Sequence, residues 1–408
     1  MGASGKDSGC LAARTAAAAS ARDADTQTHS CNCPSRLRGR AATAVAIVLT
    51  LLGGCATQRH VARPTQRPAE VRAHILQLLP PYAVDRAGWA TDIAAAFAAQ
   101  EIEPTTRNLC ATLAVAEQES GFNANPVVPG LGRIARAEID RRAADHHVPQ
   151  LLVRAAMLLK SPNGQRYGDR IAAVHNEREL SLIYEDLVGS VPLGRTLLGD
   201  DNPVRTGGPM QVSVDFAEQY ARQHPYPYPV DDSIRHEVFS RRGGVYFGIA
   251  HLLGYNAHYE RTLYRFADYN AGFFASRNAA FQKAITLASG IPLALDGDLV
   301  HYSAGLTSAP TSATELAVRT LAQRLDLSDA QIHRTLQQGE SPDFAQSPLY
   351  QRLFALAERV ERHPLPRAML PGITLASPKI TRTLTTAWFA TRVDQRYQRC
   401  LAEAGPQR

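Results

Sequence analysis

The 408 residues exceed what one small hydrophobic core needs, so the length predicts one large domain or two modest ones. Hydrophobic residues make up 45% and charged residues 20%, an ordinary balance for a globular protein. The first 55 residues hold six Lys/Arg against three Asp/Glu, and the 38 basic and 35 acidic residues beyond them give no electrostatic case for a nucleic-acid partner.

Residues 36–55, RLRGRAATAVAIVLTLLGGC, place three arginines before about a dozen apolar residues and end on Gly53, Gly54 and Cys55. A spanning helix needs about 20 apolar residues, whereas a charged start, a short apolar middle and a small-residue end are those of a secretory signal. The stretch resembles a bacterial lipobox, which implies that Cys55 is lipidated and becomes the first mature residue. A plain signal peptide or a short anchor is the alternative. Residues 1–35 read as a mistaken upstream start or a disordered leader and are left out of fold reasoning. Ala56 in place of aspartate after the cysteine implies, by resemblance to sorted lipoproteins, the outer membrane, with the protein anchored by lipid and facing the periplasm. Residues 56–72, ATQRHVARPTQRPAEVR, are polar, rich in Pro and Arg and free of apolar periodicity, and predict a tether. From Cys55 on, the other cysteines are Cys110 and Cys400. They are an even pair in a disulfide-permissive compartment and so a candidate bridge between the first core helix and the C-terminal tail; two free buried thiols are the alternative.

From residue 73 to 400 the patterning predicts helix after helix. Alanine and leucine recur at three- and four-residue spacing over 91–102 and 105–120, with Thr105 as cap of the second. Three more helical patterns follow at 133–146, 149–160 and 179–191, then a Gly-Gly-Pro turn at 207–209. Helical runs resume at 213–223, 243–255, 266–285, 312–325, 349–362 and 380–403. Few runs alternate and no period repeats, so the class is mainly α and not a solenoid.

Three short stretches carry the chemistry: ESGFNANPVVPG at 119–130, GGPMQVSVDFA at 207–217 and ADYNAGFFASRN at 267–278. In this order they resemble the three signatures of lytic transglycosylases of the lysozyme-like fold. There, a helix ends in Glu-Ser before a Phe-Asn turn, a Gly-Leu-Met-Gln turn follows, and an Ala-Tyr-Asn-Ala-Gly stretch comes later. The resemblance implies a lysozyme-like helical core, peptidoglycan glycan strands as substrate, no cofactor, no metal and Glu119 as general acid. Glu117 lies two positions earlier, about 200° around the helix, so one of the two faces the cleft; Glu117 is expected as a solvent-facing carboxylate. A glutamate holds a proton near neutrality when burial lifts its pKa from about 4.3 towards 6, and a helix end packed on Phe122 would supply such a pocket. The family lacks a second carboxylate. The same glutamate, once ionised, takes the proton of the sugar's 6-hydroxyl, which closes an anhydro ring.

The resemblance further implies that Met210 and Gln211 line the sugar groove, Gln211 through its amide; that the Tyr269 hydroxyl orients the acid; that Asn270 holds the turn or contacts sugar; and that Ser120 hydrogen-bonds the acid or an acetamido group. The alternatives are structural: Met210 as core, Tyr269 as packing, Asn270 as a helix cap. Pro209 replaces the family's leucine. About 85 residues separate the first motif from the second where the family has a short loop, which predicts an inserted helical subdomain at about 131–204. From about 300 a helical extension without resemblance is expected. Asp145, His146 and His147 form no spaced metal set, because adjacent histidines diverge on a helix. The loop HPYPYPVDD at 224–232 has tyrosines to stack on sugar, or is a plain surface loop. A glycan-binding module without turnover and a water-using muramidase are the competing functions.

Overall fold

Val71, Ile75 and Leu78 recur at the spacing that aligns one face of a helix, and that face starts the folded body earlier than expected. The computed structural model describes residues 67–190, 202–301, 310–375 and 383–405. Cys55, the apolar run before it, residues 1–35 and the tether up to residue 66 lie outside the described residues. The tether expected to reach residue 72 gives way at Pro68 to helix α1 (Pro68–Leu78), since proline suits the first helical position and the Arg67 N–H donates to Glu70 Oε2 at 3.2 Å.

Helices α2 (Arg86–Ala99) and α3 (Thr106–Ser120) follow. Thr105 caps α3 as expected, its hydroxyl accepting from the Asn108 N–H at 3.1 Å. Then come α4 (Leu131–Asp145), α5 (Gln150–Leu158), α6 (Tyr167–Ala172) and α7 (Glu177–Ser190), which gather around Leu131, Met157, Tyr167, Ile171 and Ile183 as a separate apolar cluster. Val204 and Phe239 complete that cluster, so α4 to α7 share a core residue with the body that follows them. Polar contacts add to this attachment. The His236 ring lies 2.7 Å from Glu185, and Arg235 donates to the Val204 carbonyl at 2.9 Å.

A hairpin of β1 (Thr206–Gly207) and β2 (Val212–Ser213), paired antiparallel with Gly207 opposite Val212, leads into α8 (Val214–Gln223), α9 (Ile234–Val238), α10 (Arg241–Leu253) and α11 (Thr262–Ala271). Helix α10 is buried along nearly its whole length and packs on α2 and α3, with Tyr246, Phe247, Ile249 and Leu252 in the main core beside Trp89, Phe97 and Leu113. Arg241 joins Asp92 of α2 to α10.

A second core forms on α12 (Ala275–Ser289) with α13 (Ala313–Arg319), α14 (Ala322–Leu325), α15 (Asp329–Leu336), a 3-10 turn at Pro342–Gln346 and α16 (Pro348–Glu361). Phe281 stacks on Tyr350 at 5.6 Å there, and the buried Arg277 donates to the Gly339 and Ser341 carbonyls. This core starts on α12, upstream of the expected boundary near 300, with Phe281, Ala284 and Ile285 among its members. After a hairpin of β3 (Thr374–Leu375) and β4 (Leu384–Thr385), the last helix α17 (Thr386–Glu403) leaves the second core and packs on α3 and α11 in the first. The fold is mainly α. Among the described residues no helix is long and apolar enough to cross a membrane.

Cys110 of α3 and Cys400 of α17 form a disulfide, with sulfurs 1.97 Å and Cα atoms 5.6 Å apart. The bridge joins residues 290 apart in sequence, so its removal is expected to cost about 5–6 kcal/mol on the chain-entropy account. The double substitution Cys110→Ser/Cys400→Ser should lower the thermal midpoint by several degrees in a calorimeter; a midpoint equal to that of the oxidised parent would refute a stabilising bridge. Gly208 sits at φ +74°, and a Cβ there would lie 2.0 Å from the Val238 carbonyl oxygen. Gly208→Ala should therefore destabilise by about 2–5 kcal/mol, combining backbone strain with overpacking. Urea unfolding would check this through the midpoint.

Candidate functional site

The last turn of α3 changes character after Ala116. Leu109 to Ala116 are all buried, whereas Glu117, Gln118, Glu119 and Ser120 are half-buried. The helix stops at Gly121 in the left-handed region, and Phe122 follows at φ +63°. Phe122 is buried with its ring edge-on to Trp89 at 5.3 Å, and that packing holds a backbone conformation that a bulky residue seldom adopts.

The two glutamates part as helix geometry requires. Glu117 turns towards α17, where Arg399 Nη2 lies 2.7 and 2.8 Å from its two carboxylate oxygens and Arg396 Nε lies at 3.4 Å. Tyr82 hydrogen-bonds the same carboxylate. Glu117 is thus an ion-pair partner of the C-terminal helix, which corrects the expectation of a solvent-facing group; the arginines that claim it lie far along the chain. Glu119 acts on a different neighbour, Tyr269 of α11. Burial first, and the Glu119 charge second, push the Tyr269 phenol well above its ordinary value.

The Tyr269 hydroxyl donates to the Met210 carbonyl at 2.6 Å, and the bond is buried. It joins α11 to the hairpin turn of Gly208, Pro209, Met210 and Gln211. A phenol whose proton is committed in this way meets any further group as an acceptor. The expectation that Met210 lines a groove is corrected. Its side chain is fully buried and lies against Gly248 of α10, where an added Cβ would come within 2.5 Å of its sulfur, so Met210 anchors the turn and offers its carbonyl to Tyr269. Gln211 is half-buried at φ +50°. Its Nε2 donates to Glu177 Oε2 at 2.9 Å and lies 3.3 Å from the Gly208 carbonyl.

Two other expected site residues serve local structure. Ser120 donates to the Ala116 carbonyl at 3.0 Å and accepts from the Asn123 N–H at 3.3 Å, so its hydroxyl ties off the end of α3. The exposed Asn270 accepts from Thr386 Oγ1 at 2.8 Å, which fastens α11 to the start of α17. Asp145, His146 and His147 are exposed at the end of α4, with Asp145 paired to Arg141 at 2.7 Å. In the 224–232 loop, Tyr226 stacks on Phe247 at 5.2 Å and donates to Glu237 at 2.6 Å, while Tyr228 lies against Tyr226 and the Arg242 guanidinium. Those rings pack inward and leave little face for a sugar.

Two features of the site went unread in the sequence. Glu177, the first residue of α7, brings a carboxylate to Gln211. His251 of α10 lies with its ring centre 4.9 Å from those of Phe216, Tyr269 and Phe273, and burial pushes its pKa down to about 4, so it is neutral at pH 7. The half-buried Phe216 and Phe273 make an aromatic border next to Tyr269. No local signal marked either feature, because each depends on helices brought together only by the fold. The whole offers one carboxylate that acts on a buried phenol, one amide held in a fixed direction and an aromatic edge.

Comparison with known proteins adds the following. The family described as "Protein of unknown function (DUF1615)" matches residues 82–403, a span that holds every residue of the candidate site. "Uncharacterized protein YaiW" of Escherichia coli (strain K12) is 51% identical over 354 residues, covering 86% of this chain and 96% of that protein. No solved structure matches. With the match extending over most of its length, the chain belongs to the DUF1615 family.

Proposed function

We propose that the protein is a lytic transglycosylase, anchored by lipid on Cys55 in the outer membrane and facing the periplasm, which cleaves the MurNAc–GlcNAc bond of peptidoglycan. The observation that carries this reading is the convergence of the three separate stretches that resemble that family. Tyr269 hydrogen-bonds the Met210 carbonyl, Gln211 is the next residue, and the Glu119 charge acts on the Tyr269 phenol.

The chemistry follows from one carboxyl group. Protonated Glu119 gives its proton to the glycosidic oxygen, the C1–O bond breaks, and positive charge develops at C1. The carboxylate left behind takes the proton of the 6-hydroxyl, O6 bonds to C1, and the 1,6-anhydro ring closes with no net change in the protein. Tyr269, whose own proton goes to Met210, meets any further group as an acceptor. Gln211 and the ring edges of Phe216 and Phe273 are the groups suited to holding sugar.

Glu119→Gln keeps the shape and removes the proton, so release of anhydro-muropeptides from purified sacculi should fall by about 10²–10⁴-fold. Equal release by parent and variant would refute the assignment. Sacculus binding without product by the parent would select a glycan-binding module, and reducing ends in place of anhydro ends would select a muramidase. Tyr269→Phe removes the buried hydrogen bond to the Met210 carbonyl and should lower kcat/KM on sacculi by roughly 10-fold. An unchanged kcat/KM would sever Tyr269 from the reaction.

A further inference from the structure

Glu177 is only 5% exposed, and its carboxylate reaches Gln211 from the inserted helices, outside all three motifs. The amide nitrogen of Gln211 has two hydrogens. One points to Glu177 Oε2 at 2.9 Å and the other faces the Gly208 carbonyl at 3.3 Å. A backbone carbonyl and a carboxylate are acceptors, so the nitrogen, and not the oxygen, must lie towards them. The two directions of the amide are thereby told apart by its partners, and both of its donors are used within the protein.

We propose that Glu177 is a positioning residue: it locks the Gln211 amide so that the side chain presents its carbonyl oxygen, and therefore an acceptor only, to a sugar hydroxyl or acetamido N–H. The choice of a sugar as donor rests on the function proposed above; the locked amide does not. Without Glu177 the amide turns about its last torsion, which is broad and two-fold for this side chain, and offers donor and acceptor alternately.

The attachment of the insertion makes the lock stable. Phe239 completes the insertion's apolar cluster, His236 meets Glu185 of the same α7, and Arg235 holds the Val204 carbonyl just before the hairpin. The start of α7 and the tip of the hairpin are thus fastened to one framework. The insertion then supplies a working part of the site.

Titration calorimetry of the full chain in detergent with chitotetraose tests the sugar half. Glu177→Ala and Gln211→Ala should each weaken binding by about 10-fold, and the double variant should bind no more weakly than either, because both remove one lock. Glu177→Gln, whose amide oxygen accepts the same hydrogen, should stay within about threefold of the parent and serves as the control for folding. Parent-like binding by Glu177→Ala, or single effects that multiply to about 100-fold, would overturn the proposal. The side-chain NH₂ resonances of Gln211, in the chain labelled with ¹⁵N-glutamine, test the lock without a ligand. Loss of exchange protection on Glu177→Ala supports it, and unchanged resonances overturn it. If the parent fails to bind chitotetraose, the sugar reading falls, and the resonances alone decide the lock.

Discussion

A buried backbone carbonyl has to be satisfied, and at Met210 one phenol does so. The 2.6 Å bond from Tyr269 spans from α11 to a turn that contains left-handed residues at both Gly208 and Gln211. The Met210 carbonyl is buried, and an unmet acceptor there would cost about 1–3 kcal/mol. The sulfur of Met210 fills the space left by Gly248, so the turn is gripped from two sides before Gln211 begins. The candidate site depends on this grip: the phenol is held where the Glu119 charge acts on it, and the amide of Gln211 leaves the turn in one direction.

Among the described residues three apolar clusters have different duties. The main core, built on α10, sets the end of α3 against the hairpin and α11. The cluster of α4 to α7 reaches the site through one carboxylate and borrows Phe239 to stay in register. The second core is built on α12, α13, α15 and α16. Arg277 spends its charge on the Gly339 and Ser341 carbonyls and on the ring of Phe274, 4.1 Å away. Helix α17 then crosses back, and its arginines claim Glu117. That pairing commits one of the two glutamates to the C-terminal helix.

Much of this was legible in the sequence wherever the determinants are local. Apolar spacing gave the helices, Thr105 gave a cap, and the positions of the last two cysteines suggested their union. Resemblance of three stretches brought Glu119, Gln211 and Tyr269 together on paper. What stayed hidden was set by distant partners. Whether Ser120 serves the acid or its own helix depends on a rotamer. Whether Glu117 meets water or Arg399 depends on where a helix 282 residues later lands. Met210 reads as a groove residue by motif and as a core residue by chemistry, and the tight face of α10 decides for the core. Glu177 had no signal at all, since an acidic first turn is common in helices that do nothing else.

The bond between residues 110 and 400 has a consequence for the order of events during biosynthesis. A chain made from its N-terminus exposes α3 long before α17 exists, so the apolar face that waits for α17 stays open for most of translation. Contacts of such long sequence separation slow folding, because the entropy of closing the loop is lost before the contacts compensate for it. Half-made chains therefore present a sticky surface that needs shielding, and the oxidation that seals the molecule has to be among the final steps of its maturation.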